Sequence, residues 1–153
     1  MPLSVQDLLD RPEFRLRAGY LPGGAAARRI TETFTTDLVD PRRYIAPGML
    51  VFTGLVWHSG PEDSERFVTA VAEAAAGVLL VGEGLLGYIP DDVIAACERH
   101  SLPVLVVPAD VSFADIADAV TLELSSQRVG RLTASLQRPV SYTHLTLPTI
   151  YSV

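Results

Sequence analysis

Lysine and asparagine are absent from the 153 residues, so all 12 basic side chains are arginine. A single cysteine excludes a disulfide framework and any cysteine-rich zinc site. No stretch approaches the roughly 18 consecutive apolar residues of a membrane span. The opening segment, MPLSVQDLLDRPEF, interrupts its apolar positions with Asp7, Asp10, Arg11 and Glu13. A secretory signal needs an unbroken apolar stretch after basic residues, so none is expected here. Basic residues are also outnumbered by 18 acidic ones, for a net charge of −6. Phosphate binding needs a basic face, which argues against this chain being the main contact to nucleic acid. What is present is a chain with 48% apolar and 20% charged residues, which excludes intrinsic disorder. The length suits about one domain, with a core that needs neither disulfide nor metal staples. The expectation is a soluble cytoplasmic protein with no membrane contact and no bound cofactor or metal.

The composition breaks abruptly at Arg138-Pro139. Residues 139–153, PVSYTHLTLPTIYSV, contain no Asp, Glu, Lys or Arg, no alanine and no glycine, while all 30 charged residues and all 17 alanines precede them. Tyr, Thr, Ile and Val favour strands, so a native strand is one reading. The other is that SYTHLTLPTI resembles the translated read-through of a sequencing adapter. On that reading residues 139–153 are a non-native tail, excluded from fold reasoning, and the true chain continues past Arg138 into a C-terminal region missing here.

Along the remaining chain, residues 4–9 form a short helix opened by Ser4. Residues 14–18 (FRLRA) alternate apolar and charged side chains as a half-exposed strand does, a glycine- and proline-rich loop covers 19–27, and residues 30–36 (ITETFTT) alternate again. Asp40-Pro41 places a cap before a proline and opens one helical turn. From residue 49 the pattern changes. Residues 49–55 (MLVFTGL), 78–81 (VLLV) and 104–107 (VLVV) are nearly continuous apolar runs, which suit strands buried on both faces of a parallel sheet. Helical segments separate them: residues 64–76, with Ser64 as cap and Gly77 as terminator, and residues 91–100 after Pro90. Residues 113–137 form a long final helix. The alternation predicts an α/β fold, a mostly parallel sheet with flanking helices and a long C-terminal exit helix.

Several residues invite a chemical reading. Gly82-Glu83-Gly84-Leu85-Leu86-Gly87 matches GxGxxG after a strand. A dinucleotide loop needs a helix starting inside the motif, and Pro90-Asp91 start theirs too late. Asp37, Asp40, Thr53, Gly54, Gly82 and Glu83 are a better candidate set. Thr53 and Gly54 end one buried strand, Gly82 and Glu83 the next. In open parallel sheets ligands bind beyond the carboxyl ends of strands, near a reversal of strand order. Ordinary loop capping explains the same residues equally well. His58, in the loop after the third strand, reads as a surface residue, with lining a pocket as the other reading. His100 suits the negative end of its helix, and Cys97 reads as a small buried hydrophobe. His144 falls in the tail, and the three histidines lack metal-ligand spacing. Arg28-Arg29 and Arg42-Arg43 read as solvated charge, or as a grip on an anion. No GxSxG, P-loop or kinase motif occurs, so no catalytic residue is assigned. In the last helix Phe113, Ile116, Ala117, Val120 and Leu124 suit packing on a sheet. Leu122, Val129 and Leu136 recur every seven residues, the spacing of a coiled-coil seam, which suggests a homodimer through this helix.

These residues also form an ordered set. VQDLL at 5–9, AG at 18–19, DLVDPRRYIAPGMLVFTGL at 37–55, IPDDVIAACERHSLPVLVVP at 89–108 and VSFADI at 111–116 resemble the N-terminal domain of PucR-like transcriptional regulators. The resemblance covers about residues 3–120. It implies a ligand-sensing domain of a cytoplasmic bacterial regulator, often of purine catabolism or related nitrogen metabolism. It further implies an unidentified small-molecule effector, and DNA binding only through a helix-turn-helix in a C-terminal part absent here. The chain departs from the family at Phe52-Thr53, where a Thr-Thr pair is usual, and in GMLVF, where GELLL carries an acidic residue.

A second resemblance competes. TTDLVDPRRYIAPGMLVF followed by AAAGVLLVGE is similar to the N-terminal, substrate-binding domain of Mur ligases. The expected organisation is a sensing domain over 1–120, an exit helix or linker over 121–138 and the tail beyond it. Downstream sequence separates the two families: a terminal helix-turn-helix for the regulator, a glycine-rich GKT loop for the ligase.

Overall fold

The three apolar runs become the centre of one five-stranded sheet. The structure, a computed structural model, describes residues 3–136, with side-chain burial through residue 127; the segment 139–153 and its proposed origin lie outside the described residues. The strands are β1 (Arg17–Tyr20), β2 (Thr33–Thr35), β3 (Leu50–Thr53), β4 (Val78–Gly82) and β5 (Val104–Val107). Their order is β1-β5-β4-β3-β2. Strands β2 to β5 are mutually parallel, and β1 runs antiparallel to β5 at the far edge.

Successive side chains along a strand point to opposite faces, so a continuous apolar run serves two cores at once. Val51, Leu79, Val81, Val104 and Val106 face helices α2 (Pro61–Glu73) and α3 (Asp91–Arg99), where they meet Phe67, Val68, Val71, Val93 and Cys97. Leu50, Phe52, Val78, Leu80, Leu105 and Val107 face the other way, toward α1 (Val5–Leu9) and α4 (Phe113–Leu136), through Val5, Leu8, Ile116 and Val120. Nearly all of these side chains are fully buried. At about 1.5–3 kcal/mol for each buried aliphatic or Phe side chain, the two cores are the main source of stability. The α/β fold, with its mostly parallel sheet flanked by helices, therefore stands as the alternation along the chain predicts.

Several boundaries differ from the sequence reading, each for a local reason. The first strand lies at Arg17–Tyr20 and not over 14–18: Arg15 takes a left-handed backbone (φ 48°) and breaks extension, though Phe14 and Leu16 are buried. The register also shifts between Ala18 and Tyr20, which places Gly19 in a bulge. The second strand shrinks to three residues at the sheet edge. The turn after Asp40 is a 3-10 turn over Arg42–Tyr44, with Pro41 one position before it.

Ser64 does not cap α2. The cap is Gly60, followed by Pro61 at the first helical position and by Glu62 and Asp63 in the first turn. Ser64 is instead fully buried inside the helix and donates to Asp92 of α3 at 3.1 Å. Gly77 does not terminate the helix either. Ala74 caps it and Ala75 takes the left-handed conformation at φ 65°. Gly77 lies against the backbone of Gly48, whose oxygen would sit 3.1 Å from an added Cβ, and its amide donates to Met49 O at 2.8 Å. That glycine is required by a close backbone crossing.

The parallel strands show no reversal of order. They follow chain order from β2 to β5, so both crossover helices land on the same face, as two crossovers of one hand must. The crevice expected at a reversal is absent from the parallel part. The opposite face is covered by the chain termini of the domain, α1 and α4.

Candidate functional site

At the carboxyl ends of β3, β4 and β5 the backbone leaves the sheet in three adjacent loops, and the loop after β5 leads directly into α4. A cavity of about 260 Å³ opens between them. Its lining comprises Gly54 after β3, Gly82, Gly84 and Leu85 after β4, Pro108, Ala109 and Val111 after β5, and Ser112, Phe113 and Ala114 at the start of α4. None of these side chains is charged.

Phe113 fixes one wall. Its ring packs on Phe52 of β3, centroids 4.9 Å apart, and lies across Gly82. A Cβ at position 82 would meet the ring at 2.7 Å, far inside ordinary carbon contact of about 3.5 Å, so any side chain there must push the ring aside. Ser112 receives the Ala114 amide on its hydroxyl at 3.1 Å and so supplies the helix start with an acceptor.

The six candidate residues divide. Asp37, Thr53 and Gly54 are brought together. Asp37 Oδ1 accepts from Thr53 Oγ1 at 2.8 Å, from the Gly54 amide at 3.0 Å and from the Val56 amide at 3.4 Å. Thr53 Oγ1 in turn accepts from the Leu55 amide and from Trp57 Nε1. These bonds hold Leu55, which is buried at φ 67°, a conformation that costs a branched side chain roughly 1–3 kcal/mol. Asp37 is thus a clamp on the loop behind Gly54. Gly54 and Gly82 line the cavity. Glu83 points away, to Arg17 of β1 at 2.7 Å, and this hydrogen bond raises the arginine above its ordinary pKa. Asp40 accepts from the Arg42 amide at 3.3 Å, a turn-forming role.

A second arginine, Arg15, reaches Asp110 at 2.8 Å and, by donating to it, holds that carboxyl below its usual range. Two arginines at the edge strand therefore tie down the loops after β4 and β5. The sequence reading missed residues 108–114. The strand-end rule that singled out Gly54 and Gly82 applies equally to β5, and the signal was there in PADVSF immediately after VLVV.

The remaining candidates lie elsewhere. His58 is not a surface residue: its side chain is 14% exposed and its Nε2 is 3.0 Å from Asp92, which also receives Ser64. The carboxylate lies between serine and histidine, unlike the Ser-His-Asp order that activates a nucleophile. The cluster joins α2 to α3. His100 and Arg99 both meet Glu65, which their hydrogen bonds lower to about 2. Cys97 is buried as expected, and burial pushes its thiol up to about 12. The GxGxxG segment is a turn, with Gly87 N donating to Glu83 O at 2.8 Å, and α3 begins after it at Asp91. Among the described residues no group of three His, Cys, Asp or Glu is placed to hold a metal, and no helix is long and apolar enough to cross a membrane.

The purine catabolism regulatory protein-like family matches residues 7–124, which hold all five strands, α2, α3 and the start of α4. The chain belongs to that family. Within the curated proteins, this family member is 32% identical over 123 residues to an HPr kinase/phosphorylase of Polaromonas naphthalenivorans (strain CJ2); the match covers 72% of the chain and 38% of the relative. The chain therefore spans well under half of that relative. Its fold is shared with the regulatory region of Clostridium perfringens pyrophosphatase, a structure of CBS and DRTGG domains with the activator diadenosine tetraphosphate. There the TM-score is 0.52 at 15% identity, over 74% of this chain and 45% of that one.

Proposed function

We propose that this chain is the effector-sensing part of a bacterial transcriptional regulator of purine or related nitrogen catabolism, without catalytic activity of its own. The effector occupies the cavity at the ends of β3, β4 and β5. Helix α4 passes the signal to a second copy of the chain and to a DNA-binding part that follows it in the full-length cytoplasmic regulator. One observation carries this reading: Ser112 and the first two residues of α4, Phe113 and Ala114, form a wall of the cavity together with the strand ends. A ligand that contacts both fixes the helix start relative to the sheet. If it binds one arrangement tenfold better than another, it shifts their balance by about 1.4 kcal/mol. Leu122 on α4 is largely exposed, which agrees with a helix that pairs outside the domain. The family supplies the regulatory role, and the nucleotide bound by the pyrophosphatase region makes purines the first ligands to try.

The test is a thermal-shift panel of purines and ureides on the full chain. A true effector at 100 times its Kd adds about 2.7 kcal/mol of stability. No shift with any member counts against sensing, and turnover of any member overturns the assignment as a non-enzyme.

A further inference from the structure

We infer that the carboxyl end of the sheet is a docking surface for the distal part of α4 from a second copy of this chain; this rests on the sensing reading, because it names the element that covers the effector's depression. Six large apolar side chains are exposed among the described residues. Four of them, Leu38, Val56, Leu85 and Tyr88, stand in the loops that follow β2, β3 and β4, and they are 51–65% exposed. The three strands are neighbours in the sheet, so these loops adjoin, and the depression beside them has no charged side chain in its lining. A solitary exposed apolar side chain needs no explanation, but a group of them around an open apolar depression marks an interaction site.

The charge around this patch says what covers it. Helices α2, α3 and α4 all begin at this end, and each carries acid in its first turn: Glu62, Asp91 and Asp115. None of these three is in an ion pair among the described residues. A second, identical patch laid against this one would bring like charges together, so the complementary occupant is apolar and basic. Residues 128–138, RVGRLTASLQR, have that character: three arginines, no acid, and Val129, Leu132 and Leu136 at a spacing that puts them on one helix face. The helix continues through Leu136, and a helix laid with its apolar face in a groove is a recurrent mode of recognition. The contact is between copies and not within one. Helix α4 starts at the depression and runs away from it, so Val129 lies about 24 Å along the axis from Phe113. Exchanged reciprocally, the two helices close a dimer in which each depression is covered by the helix of the other copy.

The experiment is analytical ultracentrifugation of the full chain, with the Tm of each variant confirming that it folds. The native chain is expected to be a dimer. Val56→Ser with Leu85→Ser, both at exposed positions, should raise the dimer Kd at least about tenfold. Arg128→Glu with Arg131→Glu should do the same, and so should Glu62→Arg with Asp91→Arg. Combining the last two pairs in one chain reverses the charge on both sides of the contact and should restore the dimer. A dimer that withstands the substitutions at 56 and 85 or at 62 and 91 pairs through another surface, α4 against α4 foremost, and overturns the inference. Failure of the combined variant to recover overturns it too. A chain that is monomeric throughout and still gains stability from a purine or ureide overturns the docking and leaves sensing standing; a monomer with no such shift overturns both.

Discussion

Replacing Gly82 with alanine tests the packing that shapes the cavity. The added methyl would lie 2.7 Å from Phe113 Cζ and 3.0 Å from Cε1. Carbon atoms settle at about 3.5–4.0 Å, so the ring must retreat by roughly 1 Å. It has little room to do so, because Phe52 lies behind it with centroids 4.9 Å apart, and Ile116 one turn later is fully buried. Forcing a methyl into such a contact costs about 1–3 kcal/mol. Urea denaturation reads this as a lower midpoint at unchanged slope. A double-mutant cycle sharpens the assignment. With Phe113→Ala in place the methyl has space, so Gly82→Ala should then cost little, and the coupling energy should reach about 1 kcal/mol or more. If Gly82→Ala costs less than about 0.5 kcal/mol, or the two substitutions are additive, the ring does not govern position 82 and the wall described here is wrong.

Asp37→Ala should lower stability by about 1.5–3 kcal/mol, because it strips a charged acceptor from three donors and releases Leu55 from its left-handed backbone; Asp37→Asn should cost less, and equal, negligible losses in urea would refute the clamp. Glu65 titrates near 2 in the folded state, below its ordinary 4.5. Its contribution is therefore complete above about pH 4.5 and fades as pH falls toward 2, with a small amplitude because the side chain is 44% exposed. Glu65→Gln should flatten the stability curve across that window, and parallel curves would count against the Arg99–Glu65–His100 network. Cys97, buried with its thiol pushed up to about 12, should resist a disulfide reagent at pH 8 until the chain unfolds; rapid labelling of native protein would show the α3 packing to be looser than described.

The parts of this molecule that were legible in its sequence are those decided by local pattern. VLLV and VLVV read as doubly buried strands because a run without polar residues has no solvent face to offer. Ser4 read as a helix cap because a serine just before a helical run is a local start signal, and in the structure Asp7 completes a capping box with it. What escaped depends on partners distant along the chain. Glu83 is a plausible ligand residue until Arg17, 66 positions earlier, claims it. His58 reads as exposed until Asp92, 34 positions later, meets it. Gly77 reads as a terminator because its contact with Gly48 crosses between segments. In the site, Gly54 and Gly82 were found by position at strand ends. Phe113 was assigned to the core, and it is both a core residue and a wall.

On the proposed sensing reading, the geometry of α4 makes the domain a mechanical amplifier. The helix runs for 24 residues, and among those whose side chains are described its fully buried ones are Ile116 and Val120. At 1.5 Å per residue, Phe113 lies about 10 Å on one side of Val120 and Leu136 about 24 Å on the other. With Val120 as fulcrum, a sideways step of about 1 Å at the cavity becomes a step of more than 2 Å at the opposite end, reversed in direction. On that reading few atoms need to move at the cavity for the far end of the helix to be displaced.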